Sequence, residues 1–317
     1  MKVLSAADID AALDPVLLAD ALAHAFRAEI VAPVRHHHEI ERPDADATLL
    51  LMPAWTGRDA QSPFVGTKIV TVYPGNGAKD LPAVMGTYLL LDGATGAPLA
   101  AMDGARLTVW RTAAASALAA RYCVRPDASK MVMVGAGALA PFFIKAHCAT
   151  SPIKEVSLWN HRSERAEAVA SELRQEGYPV RAVTNLEVAV READLISTAT
   201  LSSEPLVRGE WLKAGAHLDC VGAFKPSMRE TDDEAVKRAS LFCDTRGGAL
   251  KEGGDYAQPL AAGIISESDI KADLYDLTRG KHRGRASSQE ITMFKSVGAA
   301  IEDLAAAMLV WERVGQA

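Results

Sequence analysis

The stretch Lys130–His147, KMVMVGAGALAPFFIKAH, constrains the fold more than any other part of this chain. An apolar run from Met131 to Val134 meets Gly135, Gly137 and Ala140, and a helical pattern then begins. Strand, tight turn and helix start, in that order, give the GxGxxA spacing its meaning. Gly135 permits the turn, Gly137 lets the backbone approach a pyrophosphate, and Ala140 keeps helix and strand close. The backbone from Gly135 through Ala136, Gly137 and Ala138 to Leu139 then offers N–H groups to an anion at the helix start. Pro141 falls in the first helical turn, where its missing N–H costs little. The ligand implied is a nicotinamide or flavin dinucleotide, and a motif that begins at residue 135 leaves a sizeable body of chain before it.

Strand and helix patterns alternate beyond the motif: Glu155–Trp159, a helix Ser163–Gln175, Val180–Val183, a helix near Leu186–Glu192, Leu195–Thr198 and His217–Val221. That alternation predicts a doubly wound parallel sheet, so the fold class is α/β. Leu241–Asp244 and a segment near Asp273–Leu277 would extend the sheet, and Ile291–Val314 reads as one long helix. The first part has a different texture. Ser5 caps a helix expected from Asp8 to about Ala28, with Pro33 ending the pattern. Short strand runs follow at Thr48–Met52, Val65–Tyr73, Met85–Leu91 and Pro98–Met102, separated by turn residues, which predicts a mainly antiparallel or mixed sheet. An Ala-rich helix, Thr112–Arg121, leads into the glycine motif.

The 317 residues suggest about two domains, at ~100–200 residues each. A formal charge of −6 with scattered Lys and Arg excludes a nucleic-acid partner from the expectation. No apolar run approaches the ~18 residues needed to span a bilayer, and the opening MKVLSAADIDAALD does not read as a signal peptide. Four widely spaced cysteines, Cys123, Cys148, Cys220 and Cys243, read as free thiols of a cytoplasmic protein. His36–His38 is the one run that invites a metal. Adjacent strand residues point to opposite faces, and no Cys or His cluster joins them, so the metal expectation is none.

The second strand of the dinucleotide unit ends at Trp159-Asn160-His161-Arg162-Ser163, near the usual ~20-residue offset of the acid that reads the ribose. Asn160 stands where NAD enzymes place Asp or Glu, and Arg162 is close by. A missing carboxylate beside a guanidinium suits a 2′-phosphate, so NADPH is the expected cofactor, with NADH the other option. The plainer reading is that Arg162 and Arg165 are surface charges of the next helix.

Two cations are oddly placed. Lys68, within Thr67–Tyr73, shares a strand face with Val70 and Val72. A lysine there is costly unless paired or open to a cleft; otherwise the strand is an edge and Lys68 snorkels to water. Arg111, just before the Ala-rich helix, meets the wrong end of its macrodipole unless an anion lies between them. A substrate carboxylate or the cofactor pyrophosphate would serve, or Arg111 turns away to a surface acid. Arg35 carries no strong signal of its own.

Several motifs agree in order. Gly66-Thr67-Lys68-Ile69-Val70 with Tyr73-Pro74-Gly75-Asn76, then Leu107–Ser116 (LTVWRTAAAS), then GAGALA, then Gln289–Gly298 (QEITMFKSVG) followed by Glu302-Asp303-Leu304, resemble the ornithine cyclodeaminase/μ-crystallin family over nearly the whole chain. The resemblance implies a homodimer. It implies an α+β substrate and dimerisation domain, 1–111 with 296–317, around a Rossmann domain, 112–295. It also implies a small α-amino or α-imino acid substrate, its carboxylate gripped by Arg35, Lys68 and Arg111, with Val297 and Gly298 as further substrate contacts. Arg111, Thr112, Thr200 and Val221 join the glycine turn, Asn160 and Arg162 as cofactor contacts.

One position departs from the family's cyclodeaminases, which carry an Asp in a G-D-x-P-G-K-like context. Here the stretch is Val221-Gly222-Ala223-Phe224-Lys225-Pro226, with Ala223 where that Asp would stand and Asp219 four residues early. The pattern resembles instead the branch that reduces cyclic ketimines such as Δ1-pyrroline-2-carboxylate and Δ1-piperideine-2-carboxylate. The expected reaction is therefore NAD(P)H-dependent reduction to L-proline or L-pipecolate, with Lys68 as proton source because burial beside arginines lowers its pKa. The rival expectations are an ornithine cyclodeaminase or alanine-type dehydrogenase, and a non-catalytic NADPH-dependent binder.

Overall fold

The computed structural model describes residues 1–43, 45–79 and 81–314. The chain divides into two compact units, Met1–Thr112 with Ala299–Ala317, and Ala113–Gly298. Residues 315–317, the end of the expected C-terminal part of the first unit, lie outside the described residues.

The first unit begins with strand β1 (Lys2–Leu4), helices α1 (Ala6–Ala12) and α2 (Pro15–Arg27), and strands β2 (Ile30–Val31) and β3 (His36–Ile40). Strands β4 (Ala47–Thr56), β5 (Phe64–Val72), β6 (Val84–Asp92) and β7 (Pro98–Asp103) follow. They form a mixed sheet in the order β1-β7-β6-β5-β4-β2, with β3 also on β4; among the described residues the β1–β7 pair is parallel and the others are antiparallel. Ser5 does cap a helix, through a reciprocal capping box with Asp8. The helix expected over 8–28 is two, however. Asp14 accepts from the N–H groups of Val16 and Leu17, and Pro15 at the first position of α2 cannot continue α1. After the break α2 buries Leu18, Leu22 and Phe26, and Leu17 is exposed.

Helix α3 (Gly104–Cys123) starts two turns before the expected Thr112. Asp103 accepts from the Arg106 N–H at 2.8 Å and opens it. Leu107, Thr108, Val109 and Trp110 carry weaker helix propensity than the alanines behind them, which hid the true start. Arg111 therefore sits inside a helix, and the macrodipole argument for it does not hold.

The second unit runs β8 (Lys130–Val134), α4 (Ala140–Thr150), β9 (Glu155–Trp159), α5 (Ser163–Gln175), β10 (Val180–Val183), α6 (Leu186–Glu192), β11 (Leu195–Thr198) and β12 (His217–Cys220). It continues with α7 (Asp233–Arg238), β13 (Ala239–Cys243), α8 (Arg246–Glu252), α9 (Gly254–Ala261), β14 (Ile270–Asp273), α10 (Leu274–Thr278) and β15 (Ile291–Lys295). These strands form a wholly parallel sheet in the order β10-β9-β8-β11-β12-β15-β13-β14. Its two faces are packed by separate apolar clusters, one including Ala113, Phe143 and Leu158, the other Val190, Leu218 and Tyr256. Ile291–Lys295, expected as the start of a long helix, is a strand between β12 and β13, buried at every residue. A strand covered on both faces lacks alternation and cannot be told from a buried helix by period. Near 273–277 only Asp273 is strand; its side chain caps α10 through the Asp276 N–H.

The chain then returns to the first unit as α11 (Ala300–Val314), which packs on α1, α2, β4, β5 and β6. Among the described residues no helix is long and apolar enough to cross a membrane, and the four cysteines are free. Leu304 of α11 is fully buried. Leu304→Ala is expected to lower unfolding free energy by about 3 kcal/mol, read as a fall in the urea midpoint.

Candidate active site

Two buried cations of the first unit converge on one acid. Strand β5 is flanked by β4 and β6, so Lys68 is central and cannot snorkel over an edge. It is 2 % exposed. Its Nζ donates to Asp303 Oδ1 at 2.8 Å and to Thr108 Oγ1 at 3.3 Å. Arg111, 5 % exposed, donates from Nε to the same Asp303 oxygen at 3.0 Å and from Nη1 to Glu302 Oε2 at 2.8 Å. The surface-acid alternative for Arg111 is thereby excluded. Burial and the Arg111 charge lower the Lys68 pKa to about 8, the Asp303 carboxylate works against them, and Arg35 adds a smaller lowering effect. Arg35 is half-buried. The three cations expected to grip a carboxylate thus act within one electrostatic neighbourhood.

Tyr88 lies opposite Lys68 in the β5–β6 register and is fully buried. Gly66 makes room for it: a Cβ there would lie 2.0 Å from the phenol oxygen. Burial and Asp303 raise the Tyr88 pKa. The Tyr88 hydroxyl and Asp303 Oδ2 are buried with no hydrogen-bond partner among the described residues, which leaves polar capacity inside the cluster.

The glycine turn of the second unit fits a dinucleotide. Gly135 has φ +107°, and a Cβ there would meet Ala199 O at 2.7 Å. Its N–H donates to Trp159 O at 2.8 Å. Ala136 N donates to Asn160 Oδ1 at 3.3 Å, and Asn160 Nδ2 donates to Arg162 O at 3.1 Å, so Asn160 braces the turn against the following loop. Gly137 and Ala138 are exposed, and nothing lies within 4 Å of a Cβ built on Gly137. Leu139, the N-cap of α4, provides no side-chain cap, so backbone N–H groups remain for an anion. Arg162 is exposed at the uncapped start of α5.

Of the remaining site candidates, Thr200, Val297 and Gly298 are held by buried acids. Thr200 follows β11; its N–H and hydroxyl donate to Glu230. Val221 is buried after β12, and its N–H donates to Thr198 O. Ala223 is buried, with its N–H on Glu230. Val297 and Gly298 donate their N–H groups to Asp244 Oδ2, both at 2.8 Å. Thr112 is buried and spends its hydroxyl on Thr108 O within α3. Asp219 is buried in β12, where Ser116, Ser197 and His147 hydrogen-bond to it. His36–His38 is exposed on β3, and no cluster suited to a metal occurs among the described residues.

Sequence reading missed the roles of Glu302, Asp303, Glu230 and Asp244. For the first two a signal existed: adjacent acids between Ile301 and Leu304 in an apolar helix need buried partners. Asp303→Asn removes the attraction that supports the Lys68 charge. The Lys68 pKa is expected to fall below about 8, as read by NMR of its Cε. Breaking the buried pair is expected to cost about 3–5 kcal/mol in urea unfolding.

The family model described as ornithine cyclodeaminase/mu-crystallin family matches residues 1–317. The Δ1-pyrroline-2-carboxylate reductase of Paracoccus denitrificans is 40 % identical over 240 residues, 75 % of this chain and 76 % of that protein. A solved structure of Thermococcus litoralis Δ1-pyrroline-2-carboxylate reductase in complex with NADH and L-proline is 33 % identical, with TM-score 0.92, covering 100 % of this chain and 98 % of the other. An archaeal alanine dehydrogenase dimer with bound NAD is 31 % identical, with TM-score 0.91, covering 100 % of this chain and 96 % of the other.

Proposed function

The chain belongs to the ornithine cyclodeaminase/mu-crystallin family, and on that premise we propose that it is an oxidoreductase that reduces a cyclic ketimine carboxylate with a nicotinamide dinucleotide. The substrate is Δ1-pyrroline-2-carboxylate, Δ1-piperideine-2-carboxylate or both, and the product is L-proline or L-pipecolate. The carrying observation is the Lys68–Arg111–Asp303 cluster, two buried cations beside Arg35 in a chain that also holds an open glycine turn. The similarity to a reductase solved with NADH and L-proline supports this reading. Ala223 supports it over amine elimination, since no carboxylate stands at that position to take a proton from a substrate amine. Similarity to a dimeric relative supports a homodimer. Free, mostly buried thiols support a cytosolic setting.

The bound nicotinamide supplies the hydride. Arg111 and Arg35 hold the substrate carboxylate by charge-assisted hydrogen bonds, which orient the imine carbon. Lys68 is a third cation toward that carboxylate. A pKa near 8 leaves it charged at neutral pH yet able to release a proton toward the imine nitrogen. Asp303 keeps both Lys68 and Arg111 in place and supports the Lys68 charge. Gly135–Leu139 hold the pyrophosphate, and Asn160 with Arg162 receive a 2′-phosphate without carboxylate repulsion, the basis for assigning NADPH.

Lys68 loses its charge as pH rises through about 8, so kcat/KM for the imine is expected to fall above that pH. Lys68→Met is expected to lower kcat/KM by about 100-fold or more and abolish that limb; an unchanged pH profile would remove Lys68 from the mechanism. Steady-state rates with both cyclic imines and both cofactors test the function itself. Arg162→Ala is expected to lower the NADPH-to-NADH preference about tenfold. Faster turnover of L-ornithine or L-alanine with NAD⁺ would overturn the substrate assignment.

A further inference from the structure

Glu230 has no place in the steps above, yet it is fully buried and collects the backbone of two loops. Its Oε1 accepts from Thr200 N at 2.7 Å and Thr200 Oγ1 at 2.8 Å, after β11. Its Oε2 accepts from Gly222 N at 2.7 Å and Ala223 N at 3.3 Å, after β12. Four donors on two oxygens suit an ionised carboxylate and no other side chain of that shape. The loops touch: a Cβ on Gly222 would lie 2.1 Å from Thr200 O.

Glu230 is itself anchored. Its N–H donates to Asp255 Oδ1 at 2.8 Å, joined there by Thr231 N and Oγ1, both at 3.0 Å. Asp255 Oδ2 accepts from Lys295 Nζ at 2.9 Å, and Asp255 and Lys295 are fully buried. Lys295 is thus hydrogen-bonded and ion-paired to Asp255, and its charge acts on the Glu230 carboxylate from a distance. A buried charge without a direct ion pair is a costly way to hold two loops if stability were its purpose. None of its partners belongs to the glycine turn or to 160–162.

The sheet order places a topological switch between β8 and β11. A dinucleotide in such a sheet lies across the carboxyl ends of the strands at that switch. The glycine turn and Asn160 lie on the β8–β9 side, and the loops that Glu230 clamps lie on the β11–β12 side. We propose that Glu230 is a positioning residue for the nicotinamide half of the cofactor. It sets the spacing of the Thr200 and Gly222–Ala223 backbone that receives that half, leaving the adenine half to the glycine turn. This rests on the dinucleotide reading of the proposed function, and not on which imine is reduced.

Glu230→Gln keeps one acceptor oxygen and turns an NH₂ toward the other pair of donors, so one loop loses its anchor. The expected result is NADPH binding weakened about tenfold or more, with unchanged affinity for 2′,5′-ADP, which carries the phosphorylated adenosine but no nicotinamide. Both constants are read by titration calorimetry on the full chain. Glu230→Asp, which keeps both acceptors, is expected to recover part of the NADPH affinity. Equal weakening of NADPH and 2′,5′-ADP would mark Glu230 as merely structural, and unchanged NADPH affinity would also overturn the proposal. NADH against AMP gives the same split if the chain prefers NADH. Neither titration uses turnover, so absence of imine reduction would strike the proposed function while leaving this split readable.

Discussion

Asp303 accepts from two cations on one oxygen, and the chemistry of the first unit depends on that arrangement. Remove the carboxylate and Lys68 would be a buried ammonium beside Arg111 and Arg35, with its pKa driven further down. Leave it in place and Lys68 stays charged at neutral pH, while Arg111 is fixed from two sides by Glu302 and Asp303. Both acids lie on α11, at the far end of the chain from β5, and α11 is held by packing against α1, α2 and the central strands. Helix packing, buried ion pairing and lysine basicity are thus one coupled system.

The second unit repeats the device with different partners. Glu230 draws together the loops after β11 and β12, and Asp244 draws Ser296, Val297 and Gly298 after β15. In each case a buried carboxylate satisfies backbone N–H groups that regular secondary structure leaves orphaned at strand ends. Burial and Asp255 push the Glu230 pKa up, against Lys295 and the Thr200 hydrogen bonds. Loops held in this way can present a pre-organised backbone without being part of any strand or helix.

Legibility in the sequence followed locality. The alternating elements from β8 to β12 stood out because each carries its own period, and turn residues separate them. Misreadings fell where tertiary burial overrides period, as in Ile291–Lys295, or where a single residue resets the phase, as Pro15 does between α1 and α2. Lys68 was visible as an anomaly, a charge on an apolar strand face, and so was Arg111, although by a macrodipole argument that the early start of α3 removes. Their partners were not visible in pairing, since Lys68 and Arg111 stand 235 and 192 residues from Asp303.

From residue order alone came the parallel-sheet architecture, the glycine turn and the list of unusual charges. All are set by sterics and hydrogen bonds within a few residues: Gly135 tolerates φ +107° whatever surrounds it, and Asn160 falls at the end of β9 by count. Which acid meets which cation, whether Lys68 is paired or solvated, and how far its pKa falls came from packing. Those properties depend on the rotation of α11 against β5 and on how completely water is excluded, and neither is written in any short segment of the chain.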